Sequence, residues 1–291
     1  MVSKGSNRHK LSKVKFSEIE KTRSGRIQFK TTPYRWVILF GFCGLLLNLA
    51  MATVGLASYV AQIKTAFGTS QWSVILLMCM PNLLFAPMNF FSAWFFANFK
   101  VHHVLRVAAC LQLIGGWVRA LSFIGDPNTS FWLLLLGQFL FVVTNPFVLG
   151  VISLIANLWF GDHERAKATA ISGLMVPVGS LIGLGLAGYL AAGVDSEDPV
   201  DCMDRLKLIV YAQNIIFSTT VLFFLLAFRE KPLTPPSKLA FTFLSLSQRG
   251  IIEDIRTLSK NRNFMLNMTV FIIVWGSYIA FGNILAPMFS P

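Results

Sequence analysis

The residues able to do chemistry in this 291-residue chain are few: His102-His103, an acidic run at Asp195–Asp204, four cysteines, and scattered amides. No His/Cys/Asp/Glu set has metal-ligand spacing, and no HExxH or phosphate-cradling glycine loop occurs. Cys43, Cys79, Cys110 and Cys202 lack zinc or redox spacing, and the first three lie inside apolar runs. No catalytic residues, metal site or cofactor are expected. The adjacent imidazoles, with Lys100 and Arg106 beside them, read as a basic turn at lipid head groups; a metal or proton site is the second reading.

Binding chemistry is left. Asn48, Gln112, Gln138, Asn145, Asn214, Asn267 and Asn283 interrupt otherwise apolar stretches. Each needs a partner where water is absent. Bonding between helices is the ordinary use of such amides, but Asn48 and Asn145 fall mid-stretch and are the candidates for solute contact. Trp275 and Tyr278, three apart, share a helix face and can stack on an organic solute or a cation, with packing as the alternative. Charges inside the apolar stretches are almost absent; Arg119, near the outer end of the third, is expected to snorkel to the interface, with a packing or gating contact as the alternative. Gly179 and Gly183 form a GxxxG pair that lets helix backbones approach. Pro177 removes one helix hydrogen bond, so it invites a kink and a hinge.

The elements that must position these residues follow from composition. The chain is 55% hydrophobic and 13% charged, against about 25% charged in soluble domains, and its mean hydropathy is +0.63. Seven apolar stretches read as spans: Trp36–Gln62, Val74–Asn98, Val104–Ile124, Phe131–Asn157, Thr169–Gly193, Leu206–Phe228 and Phe264–Phe289. Each is long enough to cross a bilayer as a helix, and only helices satisfy their own backbone in lipid. The fold class is therefore all-α and polytopic.

Charge sets the orientation. Residues 1–35 carry ten Lys/Arg against Glu18 and Glu20, a net +8. With the 98–104, 158–168 and 229–263 connections and Arg106, one side collects 21 Lys/Arg; the other holds Lys64, Arg119, Arg205 and Lys207. The positive-inside rule puts the N-terminus in the cytosol. The tail then meets anionic lipid rather than nucleic acid. A seven-helix receptor would have the reverse orientation, and Phe264–Phe289 has no Lys for a retinal Schiff base. Asn128-Thr129-Ser130, a glycosylation sequon, falls on the outer side.

The organisation is a basic tail (1–35), a six-helix bundle (36–228), a linker with an amphipathic surface stretch at Gly250–Ser259 (229–263), and a seventh helix (264–291). That plan is the first bundle of a six-plus-six carrier with one helix of the second.

The stretch Gly137-Gln138, then Trp159-Phe160-Gly161-Asp162-His163-Glu164-Arg165-Ala166-Lys167-Ala168, then Pro177-Val178-Gly179, resembles the major facilitator superfamily. More narrowly it is similar to the feline leukaemia virus subgroup C receptor-related family (solute carrier family 49). Pro235-Pro236-Ser237 and Asn263-Phe264 also fit, and the likeness runs from about Pro33 to Pro291. The resemblance implies solute transport by alternating access, with Glu164 and Arg165 as a cytosolic loop motif. Family members carry choline, ethanolamine or related amines; haem and pyridoxine are also associated with it. In choline carriers an aromatic cage uses a Trp of the first helix and a Tyr of the seventh. Aligned on Asn48, those positions hold Ala52 and Ile279 here, and Pro177 replaces a Gln of the fifth helix. All three departures count against choline. The loop between the second and third helices normally carries an Asp and a Gly, where Ala97 and Lys100 stand here.

The expected function is thus transport of a small organic solute (amine, choline-like, vitamin-like or haem-like) across the plasma or endolysosomal membrane. The chain is expected to be a fragment or truncated form, needing a second chain to complete the fold. The alternative is a non-transporting scaffold or regulatory partner of a full-length transporter.

Overall fold

A computed structural model describes residues 31–125, 127–191, 198–229, 232, 234–237, 239–240 and 256–288. Every element among them is helical: α1 (Tyr34–Val54), a 3₁₀ turn (Gly55–Tyr59), α2 (Val60–Phe67), α3 (Gln71–Asn98), α4 (Val101–Leu121), α5 (Pro127–Leu149), α6 (Ile152–Trp159), α7 (Arg165–Ala191), α8 (Pro199–Ala227) and α9 (Arg262–Met288). Six of these helices are long and apolar enough to cross a membrane: α1, α3, α4, α5, α7 and α8. The all-α, polytopic expectation is what the structure shows.

Local chemistry moves several of the expected boundaries. The sixth span starts at Pro199, seven residues before Leu206, because the Asp198 side chain accepts from the Val200 amide at 2.9 Å and Pro199 fits the first helical turn. The fifth starts at Arg165 rather than Thr169. The first span is not one helix: it tightens into the 3₁₀ turn at Gly55, resumes as α2, and stops at Gly68, whose φ of +58° suits glycine. The fourth breaks at Gly150-Val151, one turn past Pro146, and resumes as α6. His102-His103 lie in the first turn of α4, not in a connecting turn; their rings are 3.9 Å apart and His102 is buried. Of the expected amphipathic stretch Gly250–Ser259, only residues 256–259 are described, and they are helical. Residues 1–30 of the tail lie outside the described residues.

α1 occupies the middle of the bundle. Ile38, Leu39, Phe42, Leu45, Leu46, Leu49, Met51 and Ala52 are all buried along it. Its main partners are α7, α8 and α5, and Gln112 Nε2 of α4 reaches the Leu45 carbonyl at 3.5 Å. α3 packs mainly on α5, so much of its surface, including Leu76, Leu83, Phe90, Phe91 and Trp94, is exposed. α7 likewise exposes Leu174, Leu181, Ile182 and Tyr189. The described side chains of α9 from Arg262 to Val274 are exposed on all faces.

The tight side of this arrangement is α1 against α7. A Cβ built on Gly179 would stand 2.5 Å from the Leu47 carbonyl oxygen and 3.0 Å from the Ala50 Cβ; one on Gly183 would stand 3.2 Å from the Met51 Cα. Gly185, on the open face of the same helix, meets nothing within 4 Å. Gly179→Ala is therefore expected to cost about 1–3 kcal/mol by overpacking. Gly185→Ala is expected to be neutral or stabilising by up to about 1 kcal/mol through helix propensity. Thermal unfolding of the two variants in detergent separates them; equal melting temperatures would refute the close approach.

Candidate functional site

Three of the amides singled out in the sequence, Asn48, Gln112 and Gln138, form a buried polar seam between α1, α4, α5 and α8. Asn48 is fully buried; its Nδ2 donates to the Thr220 hydroxyl at 2.7 Å, and that hydroxyl donates to the Ile216 carbonyl at 2.9 Å. Gly44 allows this, since a Cβ built there would sit 3.0 Å from the Thr220 Cβ. Here Asn48 ties α1 to α8 and exposes no side-chain surface. Ala52 is fully buried. Its carbonyl accepts from Gln138 Nε2 of α5 at 3.3 Å. Gln112 Nε2 of α4 donates to the Thr144 hydroxyl at 3.4 Å.

The other candidates separate. Asn145 is buried one residue before Pro146 and joins none of the hydrogen bonds among the described residues. Pro177 lies on the exposed face of α7, while Gly179 and Gly183 face α1. That is the geometry of positions 200° and 240° apart around a helix turning about 100° per residue. Trp275, Tyr278 and Ile279 belong to α9 by backbone, but their side chains lie outside the described residues.

Arg119 requires a correction. It does not snorkel: the residue is 1% exposed, and its Nη2 donates to Gln213 Oε1 of α8 at 3.3 Å. Its guanidinium carbon lies 5.7 Å from the centre of the Phe141 ring. The cause is glycine. Gly115 on α4 and Gly137 on α5 bring the two helices so close that a Cβ on Gly137 would touch the Arg119 Cγ at 2.5 Å. The side chain is clamped between helices and cannot swing outward. Gln213, Thr220 and Gly115 escaped the sequence reading; the signal available was the Gly115-Gly116 pair, since adjacent glycines in an apolar helix mark close contact.

A second cluster closes the end of the bundle where the tail enters. Arg35 Nη2 meets Glu164 Oε1 at 2.9 Å, so the loop motif pairs with the start of α1. Arg165 meets Asp162 at 2.6 Å and donates to the Ser237 hydroxyl of the linker at 3.3 Å. Arg106 donates to the Phe228 carbonyl at 2.9 Å, the Tyr34 hydroxyl donates to the Ala227 carbonyl, and Arg229 stacks on the Tyr34 ring at 4.6 Å. Four chain segments are thereby joined across one end. Among the described residues no group of three or more His/Cys/Asp/Glu could hold a metal ion. What the seam offers instead is amide, hydroxyl and carbonyl groups in a dry setting, which suits recognition rather than bond making.

Two outcomes follow from these contacts. A double-mutant cycle of Asn48→Leu and Thr220→Val, read by unfolding in detergent, is expected to give a coupling of about 0.6 kcal/mol, the mean for such pairs in membranes. Glu164→Gln is expected to cost about 0.5 kcal/mol, because the carboxylate is one-third exposed and screened. An Asn48–Thr220 coupling of zero would deny that pair its role.

The family model of the Major Facilitator Superfamily matches residues 12–291. Among similar proteins, the choline/ethanolamine transporter flvcr2a of Danio rerio is 27% identical over 256 residues, covering 87% of this chain and 53% of the relative. Solute carrier family 49 member A3 of Xenopus tropicalis is 27% identical over 276 residues, 92% of this chain and 54% of the relative. The choline/ethanolamine transporter FLVCR2 of Homo sapiens is 24% identical over 224 residues, 76% of this chain and 42% of the relative. The chain thus spans about half the length of the curated relatives it matches. With its six span-length helices and a match over nearly its whole length, this chain belongs to the Major Facilitator Superfamily.

Proposed function

We propose that this chain supplies one bundle of an alternating-access carrier for a small organic solute, with its N-terminus in the cytosol. The observation that carries the reading is the superfamily match over residues 12–291, joined by relatives named as transporters. A second six-helix bundle, of which α9 is the first helix, completes the carrier, its other helices coming from the same polypeptide or another chain. Relatives nearly twice as long support this, as do the broad uncovered apolar faces of α3 and α7. The solute path runs beside α1, α5, α7 and α9. Asn145 is the leading contact, because its amide is not spent on another helix; Pro177, on the open face of α7, and Trp275, Tyr278 and Ile279 on α9 complete the set. Gly179 and Gly183 form the pivot on which α7 moves against α1.

The solute chemistry follows from what surrounds those positions. A quaternary ammonium has no N–H to donate and is held by aromatic faces. Ala52 offers none, and its carbonyl is engaged by Gln138. An amide such as Asn145 accepts from N–H and O–H groups. Solutes with a primary ammonium, of the ethanolamine kind, fit better than choline. The cluster of Arg35, Glu164, Arg165 and Ser237 acts as the cytosolic closure, and the basic tail lies on anionic lipid.

Uptake of labelled ethanolamine, choline and pyridoxine in cells tests this. The chain co-expressed with, or extended by, a second bundle is expected to take up ethanolamine faster than choline, and Asn145→Leu to raise KM about tenfold, the loss of one buried hydrogen bond. The 291-residue chain alone is expected to stay at background. Clear uptake by the chain alone, or choline preferred over ethanolamine, would overturn the respective part.

A further inference from the structure

The buried guanidinium of Arg119 is unbalanced. Arginine does not give up its proton in a protein, so a unit positive charge sits inside the bundle, and such a charge is costly unless paired. Only Nη2 has a hydrogen-bond partner, a neutral amide oxygen; Nε and Nη1 are buried with none. The amide nitrogen of Gln213, at the same contact, is also a buried donor without an acceptor. The Phe141 ring face adds some attraction but no counter-charge.

No described carboxylate can supply that charge. Asp162 and Glu164 are engaged at the tail end of the bundle. Asp198, Asp201 and Asp204 stand at the beginning of α8. Asp204, the nearest along that helix, is nine residues from Gln213, about 13 Å at the helical rise. Nor can the side chain reach out, because the Gly115–Gly137 crossing holds its stem. Water would satisfy N–H groups but leave the charge.

We propose that Arg119 and Gln213 form a binding site for a monovalent anionic group, in which Nη1 of Arg119 and Nε2 of Gln213, beside the Nη2–Oε1 contact, donate to a halide or a carboxylate. Both sources share one negative charge and acceptor-only chemistry. The site joins α4, α5 and α8, and through Gln213 it reaches α1, since a Cβ on Gly55 would stand 2.7 Å from that Nε2. It is separate from the proposed solute path and does not depend on the transport reading.

The test is thermal unfolding of the purified 291-residue chain in detergent, in gluconate buffer at fixed ionic strength. Chloride is titrated in one arm and formate in the other. At about ten times its dissociation constant the bound anion is expected to raise the melting temperature by about 3–5 °C. Saturation by chloride alone identifies a halide site, and saturation by formate alone a carboxylate site. Arg119→Gln is expected to abolish the rise and Gln213→Leu to weaken the apparent affinity. A wild-type melting temperature indifferent to both anions overturns the proposal; so does an undiminished rise in Arg119→Gln. Because the wild-type measurement refutes on its own, a variant that fails to fold leaves the test intact.

Discussion

Backbone-to-backbone approach at glycine is the constraint on which the bundle rests. In lipid, helices gain nothing by hiding apolar surface, so association depends on packing and on polar contacts made at short range. Gly179 and Gly183 bring α7 onto α1, Gly44 brings α1 onto α8, and Gly115 with Gly137 locks α4 to α5. Each crossing places a polar group within reach of a partner it could not otherwise meet. Asn48 finds Thr220 because no side chain stands at Gly44, and Arg119 is enclosed because none stands at Gly137. The glycines therefore position the amides rather than merely filling space beside them.

Two kinds of polar contact result, and they differ in what they permit. The seam between α1, α4, α5 and α8 is buried, with little freedom to exchange partners for water. It fixes those four helices as one body. The tail-side contacts among Arg35, Glu164, Arg165 and Ser237 are half-buried ion pairs and hydroxyl bonds whose partners are replaceable by solvent. A rigid body closed at one end by exchangeable contacts is a division of labour suited to rocking.

Much of this was readable from sequence. The helical class follows from backbone satisfaction in lipid, and six of the seven expected spans follow from apolar length among the described residues. The GxxxG pair at Gly179 and Gly183 pointed to packing, and the structure has both facing α1. What could not be read was direction around each helix axis. Apolar residues cover every side of these spans, so no amphipathic stripe tells buried from lipid-facing. Arg119 was misplaced for that reason: snorkelling depends on which way a side chain leaves the helix, and only the glycine on α5 decides it. The same ambiguity hid the engagement of Asn48 by α8. Helix starts were missed where a short polar cap, such as Asp198 with Pro199, precedes the apolar run that hydropathy detects.

The central place of α1 has a consequence for synthesis. Within this chain it is synthesised before its lateral partners α7 and α8. The Asn48–Thr220 bond links residues 172 apart, a delay of roughly 10–30 s at ordinary elongation rates. During that interval the first helix stands in the bilayer with an amide and a row of glycine notches open to lipid or to whatever insertion factor shelters it. Quality control in the membrane would therefore meet α1 before the helices that cover it. A defect in α7 or α8 would be expected to show itself as an orphaned first helix rather than as a fault at its own position.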